Sequence, residues 1–174
     1  MEDSSLVARL IVPVRRFLVA SPGYIARYGR PQHPRELGAH RCLGYLHRAT
    51  REVWHFTHRG SGEECPISPM GPLRGTSVEV LLPTVLEGLA ITELPEFVAT
   101  QYFRENQLEP LLTDWRLTET GLNFVTPTAR ARPAKVSVLA DFLIARLANA
   151  PWSAEVVMGW KPQVRRKKQP KITR

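Results

Sequence analysis

The residues of this chain that could do chemistry gather in two places. All five histidines and both cysteines lie between His33 and Cys65. His40, Cys42, His47, His55, His58 and Cys65 are of the types that bind zinc. Their spacing matches no standard zinc pattern and no Cys-x-x-Cys occurs, so no metal site is expected. Cys42 with a nearby histidine has the composition of a nucleophile and its base. No third residue is visible to orient that base, and a small buried hydrophobe is the commoner role of a free cysteine. The second place runs from Thr76 to Glu96. Glu93 and Glu96 flank Leu94-Pro95 as a pair of carboxylates. Glu96 suits the first turn of a helix, where the dipole favours an acid. A strand-to-helix corner therefore explains the pair better than acid–base catalysis. Neither enzymatic activity nor a cofactor is expected. Thr76 and Ser77 place two hydroxyls at a helix N-terminus. Their structural role is capping. Their functional role is hydrogen bonding to a carboxylate or hydroxyl of a small ligand. The two roles are compatible, because a capped helix end still presents backbone donors.

The elements around these hydroxyls follow from residues 71–97, GPLRGTSVEVLLPTVLEGLAITELPEF. A strand-like run ends at Gly75-Thr76-Ser77. A helix of about ten residues follows and stops at Gly88. An apolar strand spans residues 89–94, and Pro95 opens another helix. This βαβα order implies a largely parallel sheet with a crossover helix, and ligands of such sheets sit outside the carboxyl ends of the strands. Pro83 is expected near the first turn, with a bend or a late helix start, because an interior proline costs about 3 kcal/mol.

Elsewhere, residues 14–20 read as a strand, and Ser21-Pro22 starts a short helix that Gly29 can close. Pro34 to Leu37 suits one further turn. Residues 42–46 and 53–57 read as strands, with residues 59–64 as a loop. Residues 97–107 read as a helix with Phe97, Val98, Tyr102 and the following Leu108 facing inward. Residues 109–112 form a short strand, 118–121 a connector and 122–126 another strand. In the last helix, about 134–148, Val136, Leu139, Leu143 and Leu147 should cover a sheet.

A chain of 174 residues suits one domain or two small lobes, and 43% hydrophobic content is that of a globular protein. No apolar run approaches the roughly 20 residues of a membrane span. The acidic start MEDSSLVARL lacks the pattern of a signal peptide, and two cysteines make no disulfide framework. These features lead to the expectation of a cytoplasmic protein. The net charge of +8 is uneven: seven basic residues and no acidic one follow Glu155, which leaves 17 basic against 16 acidic side chains up to and including it. The body is nearly neutral, so the chain as a whole is not a basic nucleic-acid binder. Residues 153–174 read as a flexible basic tail. Arg165, Arg166, Lys167 and Lys168 are its candidates for weak, non-specific phosphate contact.

Three blocks of sequence carry a family resemblance. The first joins Asp3-Ser4-Ser5-Leu6-Val7-Ala8-Arg9 to the run from Pro13-Val14-Arg15-Arg16 through Pro22-Gly23-Tyr24. The second is the βαβα unit. The third is Leu122-Asn123-Phe124-Val125-Thr126-Pro127 with Arg132-Pro133-Ala134-Lys135-Val136 and Asp141-Phe142-Leu143. In this order they resemble the effector-binding (substrate-binding) domain of LysR-type transcriptional regulators. The resemblance implies an α/β, periplasmic-binding-protein-like fold of two lobes joined by crossing strands, with the second lobe complete and the first partial. Residues 1–152 would form this partial domain. Residues 21–114 would be the second lobe, and residues 1–20 and 115–152 the first-lobe parts and crossing strands. It also implies a bacterial regulator that binds a small organic effector between the lobes to modulate transcription. Thr76 and Ser77 match the second-lobe loop of that cleft, and Thr126 and Pro127 lie near the return strand. Ala90 stands where the family often has a second glycine.

The match begins in the middle of the family's pattern, with no helix-turn-helix before it. An uncovered apolar face, weak effector binding by the chain alone and no sequence-specific DNA contact are therefore expected. Either a partner covers that face, by self-association or association with an intact relative, or the lobe rearranges, or the protein is unstable; no membrane partner is implied. The alternatives are a non-regulatory metabolite-binding or interaction module, or an inactive gene remnant.

Overall fold

Apolar alternation carries the chain from Leu6 to Ala20 as two strands rather than one. In the computed structural model, which describes residues 6–46, 53–71, 73–127, 134–147 and 152, β1 is Leu6–Val14 and β2 is Arg16–Ala20, with the break at Arg15. The single strand expected over 14–20 is thus the second of a consecutive pair, and each of the pair enters a different sheet. β1 pairs antiparallel with β10 (Thr120–Pro127), from Leu6 opposite Pro127 to Val14 opposite Thr120. β2 enters a five-stranded mixed sheet of order β6-β3-β7-β2-β8. There β3 (Cys42–Tyr45) runs parallel to β6 (Arg74–Gly75) and to β7 (Ile91–Pro95), while β2 is antiparallel to β7 and to β8 (Glu109–Leu111).

Each face of this sheet buries its own cluster, as the period of two along a strand requires. Val19, Leu43 and Leu94 point towards α2 (Val78–Leu86) and α3 (Glu96–Arg104), where Leu81, Val85, Ala99 and Phe103 meet them. Leu18, Ala20, Cys42 and Ile91 point the other way, onto Tyr24 of α1 (Pro22–Tyr28), Leu37 of a 3-10 turn (Pro34–Ala39) and a small antiparallel sheet. That sheet has the order β5-β4-β9, made of β4 (Trp54–His58), β5 (Glu64–Ile67) and β9 (Trp115–Leu117), and supplies Trp54, Phe56, Cys65, Trp115 and Leu117 to the core.

Several elements depart from the expectations. β5 occupies the end of the expected 59–64 loop and beyond, and β9 was not foreseen; both are short, and only their pairing with β4 makes them strands. Pro83 is the sixth residue of α2, past its first turn. It lies on the exposed side of the helix, where water can take up the carbonyl left without a donor. Gly88 does end this segment, at φ 74, and a Cβ there would meet the Tyr24 backbone nitrogen at 3.2 Å. Phe97 is 52% exposed, because α3 turns Ala99, Thr100 and Phe103 to the core instead. In α4 (Ala134–Leu147) the buried residue is Ala140, whereas Leu139 is half exposed. Among the described residues, no helix is long and apolar enough to cross a membrane.

Candidate functional site

The parallel strands β3, β6 and β7 end side by side, and β2 starts at the same edge. Tyr45 is opposite Gly75, and Arg16 is opposite Pro95. Gly75 permits this closeness: a Cβ there would lie 2.7 Å from Leu81 Cδ2. The chain then passes through exposed Thr76 and half-buried Ser77 into α2. Ser77 is the N-cap residue, with extended backbone at φ −148 and ψ 164, yet its side chain makes no capping hydrogen bond. Glu79 takes that role. Its carboxylate accepts from the Ser77 hydroxyl and from its own backbone N–H, which holds it below the ordinary carboxylate range. An acid of the chain thus stands at the helix entry, where the dipole favours negative charge.

The rest of this edge is knitted by charge. Arg16 Nη2 lies 2.5 Å from Glu93 Oε1, and its guanidinium sits 5.7 Å from the centre of the Tyr45 ring. The Tyr45 hydroxyl donates to the Glu93 carbonyl at 3.4 Å. Arg15 grips Glu96 with two bonds, Nη2 to Oε1 at 2.5 Å and Nε to Oε2 at 3.0 Å. The Glu96 hydrogen bond is the main reason that the Arg15 pKa is raised; burial opposes it, and the charges of Glu96 and Glu119 add to it. Glu93 and Glu96 are 6% and 3% exposed, and each has its own arginine. They are the structural corner that the sequence suggests. Arg16 and Tyr45 also stand at this edge; for Arg16 the signal in the sequence is two arginines at a strand start and Glu93 and Glu96 about a strand end, which an antiparallel register can pair.

Thr126 and Pro127 sit elsewhere. On β10 they face Val7 and Leu6 of β1, and Thr126 lines a recess with Arg9, Val136, Ser137 and Ala140 beneath α4. The Thr126 hydroxyl is buried without a hydrogen-bond partner. No hydrogen bond joins Thr126 to Thr76 or Ser77 among the described residues. Arg165, Arg166, Lys167 and Lys168 lie outside the described residues.

Burial pushes the Cys42 thiol up to about 12, and its Sγ donates to the Leu37 carbonyl at 3.6 Å. A thiol held so high stays protonated at neutral pH. His40 Nδ1 is spent on the Tyr24 hydroxyl at 3.0 Å. Among the described residues, no three His, Cys, Asp or Glu side chains converge as a metal site; His47 lies outside them.

Residues 2–148 match the family described as the LysR substrate binding domain. The chain belongs to that family. A similar relative is the HTH-type transcriptional regulator CrgA of Neisseria meningitidis, 32% identical over 150 residues, covering 86% of this chain and 49% of the relative. The HTH-type regulator PtxR of Pseudomonas aeruginosa is 27% identical over 150 residues, covering 86% of this chain and 47% of the relative. Among solved structures, the CrgA regulatory domain superposes with a TM-score of 0.68 at 30% identity, over 84% of this chain and 72% of that one. Full-length AphB of Vibrio cholerae, a virulence activator, does so with 0.70 at 30% identity, over 83% of this chain and 49% of that one. This LysR-type chain has the α/β, periplasmic-binding-protein-like fold of such regulatory domains. It spans about half the length of the curated relatives it matches, and the family is one of transcriptional regulators rather than enzymes.

Proposed function

We propose that this LysR-type chain is the effector-sensing part of a bacterial transcriptional regulator, working in the cytoplasm without catalysis. A small organic effector would rest on the carboxyl edge of the five-stranded sheet. Thr76 and Ser77 would supply hydroxyls and Tyr45 a ring, while Thr126 and Pro127 contribute from the β1–β10 side. In this reading, residues 21–114 are the second lobe, residues 1–20 and 115–152 belong to the first lobe and its crossings, and residues 153–174 are a tail. The observation that carries it is the meeting of three parallel strand ends with the entry of α2, where Thr76 is exposed and Ser77 makes no capping bond to the helix backbone. Transcriptional output would come from self-association or association with an intact relative. The tail would touch nucleic acid only through non-specific charge.

The experiment is thermal unfolding of the whole chain, with and without residues 153–174, against a panel of small organic acids and alcohols. A binder raises the melting temperature. Thr76→Ala with Ser77→Ala should abolish the rise. A rise untouched by that double substitution removes the carboxyl edge as the site. A second reading, an interaction module, draws on Leu10, Leu122 and Val125, which are 54%, 44% and 53% exposed on one small sheet.

A further inference from the structure

The five-stranded sheet has an open corner where β8 leaves it. β8 pairs only with Leu18, Val19 and Ala20, so no strand flanks Arg16 and Phe17 on that side. Leu112, at φ 51, turns the chain away, and β9 then pairs with β4. Between the start of β2 and the three-stranded sheet this leaves a cavity of about 260 Å³. Its apolar wall is Leu18, Phe56, Trp115 and Leu117, all buried. Its polar wall includes Arg16 and Arg59.

The charges there are unevenly spent. Arg15 and Arg16 are paired with Glu96 and Glu93. Arg59 donates through Nε to the Thr113 carbonyl at 3.0 Å, which holds its fork at the rim. No acidic side chain pairs with Arg59 among the described residues, and Asp114, the acid in the lining, forms no ion pair there. Arg16 also keeps a buried Nε donor with no acceptor, which is uncommon enough to need a reason. Guanidinium forks prefer carboxylates, and aromatic walls prefer flat apolar bodies. An apolar cavity of about 150 Å³ already admits benzene, so this one has room for a single ring with a short acidic arm.

We propose that this corner is a second binding site, for a small carboxylate carrying one aromatic ring. The carboxylate lies on the Arg59 fork and the ring against Trp115 and Phe56. None of Thr76, Ser77, Thr126 and Pro127 lines the cavity, and Arg16 borders both places, so the test is read at Arg59, Trp115 and Phe56, which belong to the cavity alone.

The test is a titration of the isotope-labelled full chain with phenylacetate, and with phenylacetamide as its neutral isostere, followed by nuclear magnetic resonance. Saturable shifts are expected at the Trp115 indole N–H and the backbone of Phe56 and Arg59. Phenylacetamide should bind about tenfold more weakly, and Arg59→Gln should cost phenylacetate about tenfold while leaving phenylacetamide unchanged. Arg59 is exposed, so the variant should keep the native spectrum; Arg59→Lys, with the charge but not the fork, should fall between. Ser77→Ala should change neither ligand. Shifts centred on Thr76 and Tyr45, equal binding of acid and amide, an ineffective Arg59→Gln, or no saturable shift at Trp115 would each overturn the proposal.

Discussion

The five-stranded sheet and the β1–β10 sheet are built from similar strands, yet only the first is covered on both faces. Leu18 and Val19, adjacent on β2, are 2% and 0% exposed because each faces a different cluster. On the smaller sheet Leu10 and Val125 are about half exposed, and on α4 beside it Val138 and Phe142 are 67% and 61% exposed. Ion pairs divide in the same way. Arg15–Glu96 closes a corner in which Glu96 is 3% exposed, whereas Arg9 and Asp141 meet at 2.9 Å with side chains 44% and 64% exposed. Burial thus belongs to what packs on a strand, not to the strand.

That contrast can be broken most directly in the core. Leu81→Ala should destabilise the chain by about 3–5 kcal/mol in urea unfolding, the range for an emptied leucine site. Phe142→Ser should stay within about 0.5 kcal/mol, as exposed positions do. A large effect at Phe142 would mean that α4 is covered in solution, by a second copy or otherwise.

Arg15→Gln removes a bidentate partner from buried Glu96, which should cost about 3 kcal/mol. Arg9→Gln should cost less than about 1 kcal/mol, since an exposed pair is screened by water and salt. Equal costs in the two variants would erase the distinction between the two regions.

Alkaline pH probes the buried thiol. The folded pKa of Cys42 is raised from an ordinary 9.0 to about 12, so the folded state holds its proton longer than the unfolded one. The associated stability is complete below pH 9 and is lost as pH rises from 9 towards about 12. Cys42→Val should flatten that part of the stability profile. In the parent chain, Cys42 should resist a thiol-specific reagent at pH 8 until the protein unfolds.

The smallest effect is expected at the helix entry. Ser77→Ala should cost only a few tenths of a kcal/mol, below the ~1 kcal/mol of an ordinary N-cap, because its side chain makes no capping bond to the backbone. Glu79→Gln should improve the binding of an anion at that edge, seen as a larger rise in melting temperature with small organic acids.

Much of the site's framework is legible in the chain. Gly75-Thr76-Ser77, Gly88 and Pro95 mark the ends of β6, α2 and β7 within two residues, since caps and turns are local chemistry. The three blocks identify the LysR-type family, and α1 begins at Ser21-Pro22, where the Ser21 hydroxyl accepts from the Tyr24 N–H at 3.3 Å. β5 and β9 are less legible because strands of three or four residues gain their hydrogen bonds only from a distant partner. Phe97 and Leu139 mislead for a related reason: periodicity marks an apolar stripe, but not which part of it finds a neighbour.

The amino-acid order by itself therefore determined the family, the order of most elements and the turn carrying Thr76 and Ser77, all properties of neighbouring residues. Only the tertiary structure decided that Arg15 and Arg16 meet Glu96 and Glu93, that Thr126 lines a recess with residues of α4, and that β8 leaves a cavity against Trp115. Those outcomes depend on register between strands far apart in the chain, as with Arg15 and Glu96, 81 positions apart. Local propensity carries no information about that register.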